Sequence, residues 1–162
     1  MVASAAPFLT TRDCGGKQMK ILALSLLLCF MSDCERRTEV RVEGGYPPRF
    51  VFKGSGRLGQ AIIFGPEQER IAQSDPFDDT YALWEIESET EGETGAAPVE
   101  KLGSVTYRVV PSGYKQVKPK TGPPAKLVSG KRYSYWFVTV NAPHAAGYFE
   151  IKDGQAIPVQ GP

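Results

Sequence analysis

From residue 39 onward, apolar and polar positions alternate in short runs broken by glycine and proline. Glu39-Val40-Arg41-Val42-Glu43 alternates, residues 44–48 (GGYPP) interrupt, and Arg49-Phe50-Val51-Phe52-Lys53 alternates again. A period of two is the signature of an extended strand with one buried face. Residues 58–64 (LGQAIIF) form an apolar strand candidate stopped by Gly65-Pro66. Residues 80–87 place Ala82, Trp84 and Ile86 on one face, and residues 104–110 alternate up to Pro111. The longest candidate is 132–141, followed by 147–152, the hairpin signal Asp153-Gly154 and a last run from Gln155 to Val159. Only 67–73 has room for a helix. Seven or eight short strands separated by turns predict an all-β chain, an antiparallel β-sandwich with an open barrel as the alternative.

The 132–141 run is apolar on both faces. Tyr133, Tyr135, Phe137 and Thr139 point one way, and Trp136, Val138 and Val140 the other. One face fills the core. The other must be covered or form a contact patch. Cover by the Pro-rich stretch 111–126 is the simpler expectation, and Trp136 is the leading candidate for an interface residue.

The N-terminus follows a different pattern. Residues 21–31 (ILALSLLLCFM) are an uncharged apolar run with Lys17 and Lys20 before it and Asp33, Glu35, Arg36 and Arg37 after it. A membrane-spanning helix needs about 20 such residues, so this run has the size of an export-signal core. Met19-Lys20 is a normal beginning for such a signal. The expectation is that 1–18 is a spurious or disordered extension, 19–34 a signal or anchor helix, and 35–162 a single domain.

The chain has 162 residues, three cysteines, one histidine and a formal net charge of +1. That suits one globular domain, and the charge balance argues against nucleic acid as a partner. The cysteines, Cys14, Cys29 and Cys34, all lie in the leader or at its end. An apolar run, a Cys and then a polar chain resembles a bacterial lipoprotein precursor. The resemblance implies lipidation at Cys34, with Cys29 as the alternative. It also implies a membrane partner reached through the lipid, and a place in the cell envelope, on the periplasmic side of the outer membrane if the organism is Gram-negative. An uncleaved anchor or an unlipidated product is the competing outcome.

A second resemblance covers about 25 residues at the far end. Leu127, Gly130, Tyr133, the alternating run behind them and Asn141 are similar to the closing part of a fibronectin type III domain. That implies an immunoglobulin-like sandwich in which Leu127, Gly130 and Tyr133 form a structural corner, with Phe149 and Ile151 on the last strand.

Charge is unevenly placed. Residues 67–100 hold eleven acidic groups and one base, Arg70, whereas 101–132 hold eight bases and no acid. Tyr114, Lys115, Lys118 and Lys120 are therefore candidates for a surface facing an anionic glycan, lipid or envelope protein. The competing expectation is that acidic and basic strands pair across a sheet. Glu85, Glu87, Glu89, Glu91 and Glu93 recur at every second position, so on an extended chain they share one side, which repulsion predicts to face water. Residues 88–100 and 111–126 are expected to be flexible loops.

Several motifs carry weak chemistry. Asp75, Asp78 and Asp79 could supply oxygens to calcium, although not at EF-hand spacing. Gly54, Gly56 and Gly59 match a dinucleotide-binding fingerprint, but a strand pattern follows where a helix is required, and a hairpin turn linking two strands explains the glycines equally well. His144 sits in a loop, and no nucleophilic triad accompanies it. The expected function is that of an exported, envelope-anchored binding or structural protein without a cofactor or catalytic site. The alternatives are a glycan-acting enzyme using carboxylates around Asp75–Asp79 and Glu85, and a calcium- or ligand-binding sandwich.

Overall fold

The computed structural model describes residues 37–67, 77–90 and 96–161. The expected signal, Cys29, Cys34, Asp75 and most of the 67–73 helix candidate lie outside the described residues. Arg36–Pro162 forms one compact unit.

Two antiparallel sheets pack on each other as in a β-sandwich. The smaller contains β1 (Glu39–Glu43), β2 (Arg49–Lys53) and β6 (Ser104–Thr106), in the order β1-β2-β6. The larger is built from β3 (Arg57–Phe64), β4 (Ala82–Ser88), β7 (Tyr114–Lys118), β8 (Arg132–Val140), β9 (Ala145–Lys152) and β10 (Gln155–Val159). Its order is β10-β9-β8-β3-β4-β7, and the two-residue β5 (Ala97–Pro98) pairs with the start of β3. The sheets are separate ladders, so the described strands form no single closed barrel.

Alternation decides which side chains meet between the sheets. Val42, Phe50, Phe52 and Val105 project from the small sheet. Leu58, Ala61, Ile63, Trp84, Ile86, Tyr135, Phe137 and Phe149 project from the large one, and all are buried. Phe50 joins the layers, with ring centroids 5.3, 5.2 and 5.6 Å from Tyr135, Phe137 and Phe149. Tilted and edge-on rings at such distances are the favoured aromatic geometry.

At the entry to β8, Leu127 is buried and Gly130 has φ 77°, a left-handed conformation suited to glycine. Tyr133 is buried, and its Oη accepts the Val128 N–H at 2.7 Å. Val128 is 55% exposed, so water replaces that bond when it is lost. Tyr133→Phe should therefore cost only about 1 kcal/mol in urea denaturation, and a loss several times larger would contradict this account of the corner. At the other end of the hairpin, Asp153 and Gly154 have φ 51° and 73° and turn β9 into β10.

Three expectations need correction. Residues 114–118 form the edge strand that pairs with β4 rather than part of a flexible loop. Their sequence, YKQVK, lacks apolar alternation, because the strand is held by its charges and by Tyr114. Residues 97–102 are also ordered, as β5 and a single turn α1 (Val99–Leu102) with Val99 buried. The glycines 54 and 56 do not make a hairpin. They carry the chain from the small sheet to the large one, with φ 102° and 109°, and a Cβ on Gly54 would strike the Arg37 carbonyl. Gly59 lies inside β3, next to a register shift.

Tyr107, Tyr114 and Tyr135 are buried, and burial pushes all three phenols above their ordinary ionisation range. Below pH 10 both folded and unfolded chains keep these protons. Above it the unfolded chain releases them first, so stability falls as pH rises. Denaturation midpoints should drop steeply above about pH 10, and the phenolate absorbance of these tyrosines should rise only as the chain unfolds; early ionisation in the folded chain would contradict their burial.

Candidate functional site

The outward face of the large sheet holds the most informative surface. Residues directly opposite each other on neighbouring strands share a face, so Ile62 of β3 lies beside Trp136 of β8, and Gln60 beside Val138. On the other side Ile62 faces Glu85 of β4, which faces Lys118 of β7. The two-faced apolar character of β8 thus continues across β3.

Over this floor stands the segment just before β4. Phe77 meets Trp136 edge-on, with centroids 5.1 Å apart, and also approaches Phe64 at 5.7 Å and Tyr148 at 6.3 Å. Asp78 Oδ1 accepts the Thr80 N–H at 2.9 Å and the Thr80 hydroxyl at 2.7 Å. These bonds open the 3₁₀ turn Asp79–Tyr81. They also hold the Asp78 carboxyl below its ordinary range, so it carries full charge at neutral pH.

Between Phe77 and the sheet a groove of about 450 Å³ remains, lined by Gln60, Ile62, Phe77, Asp78, Asp79, Trp136 and Val138. Its floor is aliphatic and aromatic, and among the described residues its two charged lining residues are both carboxylates. Beside it, buried Glu85 receives Gln60 Nε2 at 2.6 Å on one oxygen and lies 3.6 Å from Lys118 Nζ on the other. Lys118 also donates to the Asp79 carbonyl at 2.9 Å, which ties β7 to the Asp79 turn.

This placement revises several sequence expectations. Trp136 does border an accessible surface, but Phe77 packs on it rather than the 111–126 stretch. Tyr114 is a core residue, not an interface one: it is 5% exposed and donates to the Leu58 carbonyl at 2.6 Å. Lys115 pairs with Glu87 at 2.9 Å and Lys118 with Glu85, so acidic β4 and basic β7 meet across the sheet. Lys120 is exposed beyond the end of β7. Glu85 and Glu87 do share a face, yet Glu85 is buried because Gln60 and Lys118 satisfy it. Among the described residues no group of three His, Cys, Asp or Glu side chains converges as a metal cage, and Asp78 serves as a turn cap. His144 Nδ1 accepts the Thr139 N–H at 3.1 Å, which holds the β8–β9 turn.

Phe77, Gln60, Ile62 and Val138 were not singled out from the sequence. The signal for three of them was present: LGQAIIF places Gln60 and Ile62 on one face of a strand that is apolar on its other face too, and Val138 shares the outward face of its strand with Trp136. Phe77 gave no such signal, since it stands alone in an acidic, Pro-containing stretch.

No family model, curated protein or solved structure matches this chain.

Proposed function

We propose that this chain is an exported binding module: an immunoglobulin-like sandwich, lipid-anchored at the cell envelope through Cys34, that engages a partner through the outward groove of its larger sheet. The observation that carries the binding reading is the groove itself, where aromatic and aliphatic side chains remain accessible beside two carboxylates. Single surface apolar residues are ordinary on any protein, but a contiguous apolar floor with a charged wall is a recognition feature. The sandwich reading draws support from the strand order, β1-β2-β6 against β9-β8-β3-β4, and from the Tyr133 corner. The anchor rests on the apolar run 21–31 and the cysteine that follows it. Among the described residues no helix is long and apolar enough to cross a membrane.

Binding is favoured over glycan hydrolysis by the state of the carboxylates. A glycosidase pair needs one acid kept protonated in an apolar pocket. Glu85 has both oxygens engaged, and Asp78 is held ionised. The anionic-partner reading is weaker than a cationic one at this face, because Lys115 and Lys118 are taken by Glu87 and Glu85.

The test is affinity capture of the full chain from membranes, quantified against variants. Val138→Arg, which puts a cation into the groove beside its carboxylates, should deplete the specific partner at least about tenfold, through bulk and like-charge repulsion at the contact. Val51→Ser, on the outward face of the small sheet, should leave it unchanged. Equal recovery with Val138→Arg would remove the groove from the function.

A further inference from the structure

We propose that the groove takes the lysine side chain of a partner polypeptide, its ammonium at Asp78 and Asp79 and its methylene stem along Trp136, Phe77 and Ile62. This rests on the groove being the binding surface and adds the chemistry of what enters it. The first argument is charge. Among the described residues, Asp78 and Asp79 are the charged residues lining the groove, and both are acidic. Lys118, beside them, is engaged with Glu85 and with the Asp79 carbonyl. From the packed elements, Glu85 of β4 and Lys118 of β7 roughly cancel, and His144 lies beyond Trp136, with ring centroids 6.3 Å apart. Two negative charges are therefore left facing the groove, and a cation complements them.

The second argument is the floor. A cation beside indole and phenyl rings gains electrostatic attraction from them, and a long methylene stem covers apolar surface while its head stays with the carboxylates. Both demands are met by an alkylammonium chain. At Asp78 the geometry favours lysine over arginine. Asp78 Oδ1 already accepts two donors from Thr80, so a guanidinium fork would not find both oxygens of that carboxylate open. A compact ammonium needs only one. The groove is also larger than a single alkyl chain requires, which leaves room for the main chain that carries it.

The chain has two tryptophans, which supplies an internal control. Trp84 is fully buried in the core, whereas Trp136 borders the groove. In ¹⁵N-labelled full chain, a pentapeptide with central lysine should shift the Trp136 indole signal and leave that of Trp84 in place. The same peptide with acetyl-lysine should bind at least about tenfold more weakly, since the charge is gone and the stem is kept. The arginine peptide and free n-butylammonium should also bind more weakly. Asp79→Asn should weaken the lysine peptide about fivefold, and raised salt should do the same.

Equal affinity for acetyl-lysine would overturn the proposal while leaving the groove as a binding surface. Equal affinity for arginine, or for n-butylammonium, would replace the lysine of a polypeptide by another cation or a free amine and equally overturn it. A Trp136 shift that grows with protein concentration alone would assign the groove to a second copy of the chain. Absence of any shift, with Val138-dependent capture intact, would refute the lysine assignment alone; loss of both would refute the groove.

Discussion

Replacing Phe50 with alanine will destabilise the domain by about 3–5 kcal/mol, more than any outward-facing substitution in either sheet. The magnitude follows from where the ring sits. Phe50 is fully buried and touches Tyr135, Phe137 and Phe149 at the centre of the sandwich, on strands far apart in sequence. Its removal leaves a hole bordered by rigid rings, which cannot collapse into the space without breaking their own edge-on packing. The small sheet has only three strands, so it depends on Phe50, Phe52, Val42 and Val105 to hold it against the large one. Because domains of this size are stable by only about 5–15 kcal/mol, Phe50→Ala should bring the chain close to unfolding. Thermal unfolding should show its midpoint lowered by about 10–20 °C. Val51→Ala, one position along the same strand and facing outward, should change stability by no more than about 0.5 kcal/mol. If the two variants behaved alike, the facing of β2 would be wrong.

The second large effect tests the proposed lipid anchor at Cys34. With Cys34→Ser the chain should lose fatty-acid label completely and pass from the membrane pellet to the soluble fraction. Each buried methylene adds about 0.8 kcal/mol of membrane affinity, and one short chain gives only reversible binding, so several chains make attachment firm and their loss makes it absent. Label retained at the wild-type level in Cys34→Ser, and removed in Cys29→Ser, would move the attachment site to Cys29. Label absent from the wild type would remove the lipid altogether.

Most strands were legible because burial on one face writes a period of two into the chain. β2 (RFVFK) and β8 (RYSYWFVTV) are the clearest, and their inward residues are those the alternation selects. The strand β7 was not legible. YKQVK offers one buried aromatic and two lysines, and its pairing depends on Glu85 and Glu87 some thirty residues earlier. The opposed charge blocks hinted at this contact, but charge blocks do not specify a register. β5 is only two residues long, too short to produce any periodic signal.

The groove was half legible for a similar reason. Trp136 was visible as the outward aromatic of a strand apolar on both faces. Val138 shares that face, but Ile62 and Gln60 required knowledge that β3 and β8 are adjacent, which depends on pairings across more than seventy residues. Phe77 and the aspartates after it required the path of the chain between β3 and β4, which no local pattern encodes. Tyr114 was misplaced because a tyrosine in a Pro-rich, lysine-rich stretch looks like a surface residue until the Leu58 carbonyl is found at its hydroxyl.

The central claim is that partners meet this protein at the outward groove of the larger sheet. Site-specific photo-crosslinking in intact cells tests it most directly, with the reactive side chain placed in the full chain at Val138 in the groove, or at Val109 or Ile157 on exposed apolar positions elsewhere. The account predicts a discrete crosslinked product from Val138 that is absent from Val109 and Ile157, and that fades when Asp79 is changed to asparagine. Products of equal yield from all three positions, or a product from Val109 or Ile157 alone, would contradict it.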